Sequence, residues 1–79
     1  MTSVAISHIA IDDEGRAWLS GTNTKVIEIV LEHLAYGWSA DEICRQHPHL
    51  SLSKVYAALS YYYDNQLAFE AEMDRQLDQ

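Results

Sequence analysis

The chain has 79 residues, 48% of them hydrophobic and 22% charged, a composition that argues against disorder along its whole length and leaves room for one domain, residues 1–79. Twelve acidic against five basic side chains give a formal charge of −7; such a field repels phosphate, disfavours strong non-specific nucleic-acid binding and suits a basic protein partner. Cys44 is the sole cysteine, so no intrachain disulfide forms. With no signal peptide, and no apolar run near the ~20 residues that span a bilayer, the expectation is a reducing cytoplasm.

The first element is a β-hairpin. Residues 4–11 hold Val4, Ile6, His8, Ile9 and Ile11 in near alternation, which predicts a strand. Asp12-Asp13-Glu14-Gly15 is a turn cluster, and Arg16, Ala17, Trp18 and Leu19 resume extended structure up to Gly21. A lone two-stranded hairpin is marginal in water, so it must pack on helices or pair with another chain. Thr22 or Thr24 is placed to cap the next helix, where Val26, Ile27, Val30, Leu31 and Leu34 fall at helical spacing, Ile29 widens the face, and Glu28 and Glu32 lie outside. Gly37 ends this helix. Ser39-Ala40-Asp41-Glu42 reads as a capping box that opens a helix of about two turns, residues 40–47, stopped by Pro48. Ile43 and Cys44 point inward. Ser51 caps a further helix running through Val55, Tyr56, Leu59 and Tyr62 or Tyr63. Asp64-Asn65 marks a break before a last amphipathic helix with Leu67, Phe69, Met73 and Leu77.

Two short capped helices joined by His47-Pro48-His49-Leu50, with a preceding helix to pack on, describe a helix-turn-helix. The fold class is therefore α+β and mostly α: a hairpin over residues 4–21, a trihelical core over 22–64 and a C-terminal helix or tail over 65–79. If the second helix of the pair enters a groove of DNA, Ser51, Ser53, Lys54 and Ala57 are the presented positions. The alternative is a trihelical bundle that serves as a scaffold, since one lysine is thin support for groove reading.

Three stretches carry a family resemblance: Ser20-Gly21-Thr22-Asn23-Thr24-Lys25-Val26, then Gly37-Trp38-Ser39-Ala40-Asp41-Glu42-Ile43, then His47-Pro48-His49-Leu50-Ser51. Together with Ala57-Ala58-Leu59 and Tyr61-Tyr62, they resemble a small bacterial family, the domain of unknown function four-three-three, which is homeodomain-like and antitoxin-like. The resemblance spans roughly residues 8–66. It implies a type II antitoxin that binds and neutralises a toxin resembling a PIN-domain ribonuclease, with autorepression through operator DNA. Two departures stand out. Asn23 replaces the Arg of the family's Gly-Thr-Arg, and the Gly-Lys-Pro-type stretch before the turn is absent, the hairpin reading Glu14-Gly15-Arg16-Ala17-Trp18.

Residues 67–79 form a candidate toxin-binding helix, with a stripe of Phe69, Met73 and Leu77 beside Leu67, and with Arg75 placed to reach into an acidic site. The same stripe suits closure of the chain's own core or a dimer. Cys44, His47 and His49 have a metal-like spacing but want a fourth ligand, and Pro48 with its turn explains them without one. Asp12, Asp13 and Glu14 are accounted for by the hairpin turn. No phosphate loop, nucleophile elbow or Cys/His dyad is present, so neither an enzyme nor a cofactor is expected. Tyr61 and Tyr63 cannot share a helix face, so at least one ring lies at the surface or in an interface; with the isolated hairpin, this points to a homodimer. The reading is an antitoxin, and the alternative is a protein-interaction adaptor without a DNA role.

Overall fold

The computed structural model describes residues 8–77. The order is β1 (Ile9–Ile11), β2 (Ala17–Leu19), α1 (Val26–Tyr36), α2 (Ala40–Gln46), α3 (Leu52–Asp64) and α4 (Gln66–Leu77). This is the expected mostly helical α+β architecture, an N-terminal antiparallel hairpin followed by helices. Residues 4–7 of the predicted first strand lie outside the described residues.

The second strand keeps three of its four expected residues, with Arg16 drawn into the turn. The strands pair Ile9 with Leu19, Ala10 with Trp18 and Ile11 with Ala17. Asp12 organises the connection. Its Oδ1 accepts from the amides of Glu14 and Arg16, both at 2.9 Å, and its Oδ2 accepts from the Trp18 indole at 2.9 Å. Gly15, at φ 83°, supplies the left-handed residue that closes the turn. These donors hold the Asp12 carboxyl below the ordinary carboxylate range, the Trp18 bond first among them. Leu19 is fully buried, and a bridge from Trp18 to Lys25 ties the hairpin to the start of α1.

That start departs from expectation. Neither Thr22 nor Thr24 caps α1. Lys25 is the N-cap residue and uses no side-chain acceptor; Glu28 instead reaches back to the Lys25 amide at 2.9 Å. Thr22 is spent within its own turn, where it donates to the Leu19 carbonyl and accepts from the Thr24 amide. Thr24 is buried, with its hydroxyl 3.4 Å from His49 Nε2. The buried face of α1 is also rotated from the predicted one. Val26, Ile29 and Val30 face the core, whereas Leu31 and Leu34 are exposed. The run from Val26 to Leu31 is apolar at every position but Glu28 and offers two helical stripes; packing against α3 selects the one containing Ile29. Gly37 ends the helix at φ 68°, its amide donating to the His33 carbonyl.

Helix α2 begins at the Ser39 cap, whose hydroxyl accepts from the Glu42 amide at 3.3 Å. The reciprocal half of the expected box does not form, because Glu42 turns towards Arg45 and Gln46. Ser51 caps α3 by accepting from the Lys54 amide at 3.2 Å. Leu19, Val26, Ile29, Val30, Ile43, Leu50, Val55, Ala58, Leu59 and Tyr62 make one core shared by the hairpin and the first three helices. Asn65 separates α3 from α4, with its side chain donating to the Tyr61 carbonyl at 2.9 Å. Phe69 and Met73 then fold α4 back onto the core.

Candidate functional site

Helix α3 is the longest element among the described residues and carries the most distinctive outer face. Its inner face is fixed by Val55, Ala58, Leu59 and Tyr62, all buried. At about 100° of rotation per residue, Leu52, Tyr63, Tyr56 and Ser60 follow one another in an arc along one flank, from beside Leu59 outward, and Ser53 and Asp64 lie opposite the inner face. Tyr56 is 55% exposed and Tyr63 56% exposed; Leu52, Ser53 and Ser60 are exposed as well. Leu52, Tyr56, Ser60 and Tyr63 are uncharged, and the exposed Asp64 borders them at the end of the helix. Just beyond the helix, Leu67 is 84% exposed.

Two contacts fix the turn that leads into this helix, and a third reaches the helix itself from α1. His47, at the C-terminal cap of α2, donates from Nε2 to both carboxylate oxygens of Glu32 on α1, at 2.8 and 3.0 Å. Leu50 is buried, and its amide donates to the His47 carbonyl at 2.9 Å. His33 donates from Nδ1 to the Trp38 carbonyl at 2.8 Å, which leaves Nε2 to accept from the Tyr63 hydroxyl at 3.2 Å. Tyr63 is thus oriented by a fixed partner while most of its ring faces solvent. An anchored, exposed aromatic ring binds at a lower entropy cost than a free one.

The four positions predicted to face DNA divide by exposure, although Ser53 and Lys54 each lie one helical turn from Ala57. Ser51 and Ser53 sit together at the start of α3, their hydroxyls 3.2 Å apart, and Ser51 is already engaged as a cap. Lys54 and Ala57 are half-buried on a flank turned away from the tyrosine arc. The Lys54 ammonium lies 3.9 Å from where a Cβ on Gly21 would stand, against the loop between the hairpin and α1.

The predicted partner-binding stripe on α4 also divides. Phe69 and Met73 pack against the core, and Phe69 meets Tyr61 and Tyr62 edge-on at 5.8 and 5.7 Å. Leu67 points outward on its own, Arg75 is exposed and paired with Glu72, and the side chain of Leu77 lies outside the described residues. Two exposed rings, Tyr56 and Tyr63, sit on α3 instead. The tyrosine run was the available signal, since Tyr61-Tyr62-Tyr63 on a helix must leave a ring outside.

Cys44, His47 and His49 do not converge as a metal set, and no such group of His, Cys, Asp and Glu is found among the described residues. His47 is taken by Glu32, while His49 stacks edge-on with His47 at 5.9 Å and faces Thr24. Burial, with Asp41 adding to it, pushes the Cys44 thiol above its ordinary pKa, which disfavours the reactive thiolate. No helix among the described residues is long and apolar enough to cross a membrane.

A family model described as "Protein of unknown function (DUF433)" matches residues 13–62, from the hairpin turn through the inner face of α3. No curated protein and no solved structure gives a significant match.

Proposed function

The chain belongs to the DUF433 family, and on that premise we propose that it is a non-enzymatic binding protein of the antitoxin kind, which neutralises a PIN-like ribonuclease by direct contact. The observation that carries this reading is the outer arc of α3. Leu52, Tyr56 and Tyr63 put a large uncharged surface on a braced helix. Tyrosine is among the residues that dominate binding energy at protein interfaces, and an exposed helix face is a common means of docking into an apolar groove. The net charge of −7 suits the basic surface that a ribonuclease needs for RNA.

Operator binding is the second reading, supported by the exposed hydroxyls of Ser51 and Ser53 at the open end of a helix braced by α2, as in a helix-turn-helix. Its electrostatic support is small. Arg16, Arg45 and Arg75 are each paired with a neighbouring glutamate, and Lys54 folds against the Gly21 loop.

The test is co-expression with the product of the adjacent gene, purification of any complex, and scoring of growth. A stable complex that relieves growth arrest, and that Tyr56→Ala with Leu52→Ala disrupts, supports the antitoxin reading. No complex, together with a salt-dependent mobility shift on the upstream DNA, would move the function to operator binding.

A further inference from the structure

A second surface lies on the other side of α3. An open groove of about 520 Å³ runs between the hairpin turn, the start of α1 and the inner side of α4, a size within the range of ligand clefts of about 300–1,000 Å³. Tyr61, Ile27 and Phe69 contribute its apolar wall. Its charge is the notable feature. Arg16, Lys25 and Arg75 all line it, which is three of the five basic side chains in a chain of net charge −7. They come from β2's approach, the N-cap of α1 and the last turn of α4, so the fold gathers them and no local basic run does.

We propose that this groove binds an acidic peptide segment of a partner protein, with Arg16, Lys25 and Arg75 taking its carboxylates. Both arginines already hold carboxylates in place: Arg16 meets the two oxygens of Glu14 at 2.9 and 3.5 Å, and Arg75 pairs with Glu72. These pairs are exposed, and exposed ion pairs contribute little net stability, so an incoming carboxylate exchanges with them at small cost. Lys25 is the centre of the site. Its ammonium lies 5.3 Å from the Trp18 ring centroid and, among the described residues, is paired with no carboxylate. A peptide fits better than a nucleic acid because Glu14 and Glu72 stand in the same walls. They repel phosphates fixed in a nucleic-acid backbone, whereas carboxylates on flexible side chains can turn from them towards the cations. The groove faces away from the outer arc of α3, so this proposal does not depend on the antitoxin reading.

The test uses the full chain, isotopically labelled and titrated in separate NMR experiments with a capped hexaglutamate peptide, hexalysine and hexathymidylate. Hexaglutamate is expected to shift the Trp18 indole and the amides of Arg16, Lys25 and Arg75, with affinity that falls as salt rises. Lys25→Ala and Arg75→Ala should each weaken it about fivefold, the loss of one charge-assisted contact at a solvent-accessible site, while Lys54→Ala, outside the groove, leaves it unchanged. Thermal melts of the variants confirm that each is folded. No shifts with hexaglutamate, or binding equally tight in Lys25→Ala and Arg75→Ala, overturns the proposal. Hexathymidylate binding as tightly through the same residues also overturns it and makes the groove a nucleic-acid site.

Discussion

Replacing Phe69 with alanine asks whether α4 belongs to the fold or waits for a partner. The ring is half-buried and meets Tyr61 and Tyr62 edge-on, at centroid separations of 5.8 and 5.7 Å. Truncating a fully buried phenylalanine costs about 3–5 kcal/mol. Half burial at the edge of the core brings this to about 1.5–2.5 kcal/mol. A chain of this length has a total stability of roughly 4–12 kcal/mol, so the loss is a large share of it. At about 4–8 °C per kcal/mol for a domain of this size, Tm should fall by about 6–20 °C. The assay is thermal unfolding followed by far-ultraviolet circular dichroism, at fixed protein concentration, with Leu67→Ala as the matched control. Leu67 is 84% exposed, so its truncation should cost less than about 0.5 kcal/mol. Equal Tm values for the Phe69→Ala and unsubstituted chains would refute the docking of α4. The Phe69–Met73 stripe would then be free for a partner, as the sequence alone allows.

Three further outcomes are expected. Ser51→Ala should destabilise by about 1 kcal/mol in urea denaturation, because it removes the acceptor for the Lys54 amide at the start of α3; an unchanged midpoint would mean that solvent satisfies that amide equally well. Gly37→Ala should cost about 1 kcal/mol in the same assay, since a Cβ there meets open space and the penalty comes from the left-handed backbone at φ 68° alone. Hairpin order should depend on acid pH through Asp12, whose carboxyl is held below its ordinary range by the Trp18 indole and the turn amides. A depressed carboxylate stabilises the fold above its unfolded pKa near 4, and that contribution is lost as pH falls through the lower, folded value. The Trp18 indole resonance, followed by NMR from pH 6 downward, should lose its hydrogen-bonded shift in that acid range and not before; Asp12→Asn should remove this dependence.

Local signals were the legible part of this fold. Ser39, Ser51 and Gly37 mark helix ends through chemistry confined to a few residues, and the observed ends agree to within one residue. Pro48 and Gly15 likewise placed their turns. Choices between equivalent local options were not legible. The apolar run opening α1 supports a stripe through Leu31 and Leu34 as readily as one through Ile29, and the position of α3 decides between them. Thr22 and Thr24 have the chemistry of caps, yet the bridge between Trp18 and Lys25 moves the helix start past both. Glu42 had two helical neighbours, Arg45 and Gln46, competing with the backbone of Ser39 for its carboxylate. At the candidate site, an amphipathic stripe on α4 does not say whether its partner is another protein or its own core. The convergence of Arg16, Lys25 and Arg75 needed the fold, because these residues are far apart in sequence and none lies in a basic run.

The central claim is that the outer arc of α3 binds a protein. Its most direct test is calorimetric titration of the purified adjacent gene product with the Leu52→Ala/Tyr56→Ala double variant, beside the unsubstituted chain. Leu52 is 42% and Tyr56 55% exposed, so the variant should melt within a few degrees of the parent. Loss of two anchors at the centre of an interface should weaken binding by at least about tenfold, the effect of a hot-spot truncation of about 1.4 kcal/mol or more. Unchanged affinity with intact folding would contradict the account and place the partner on another face of the molecule.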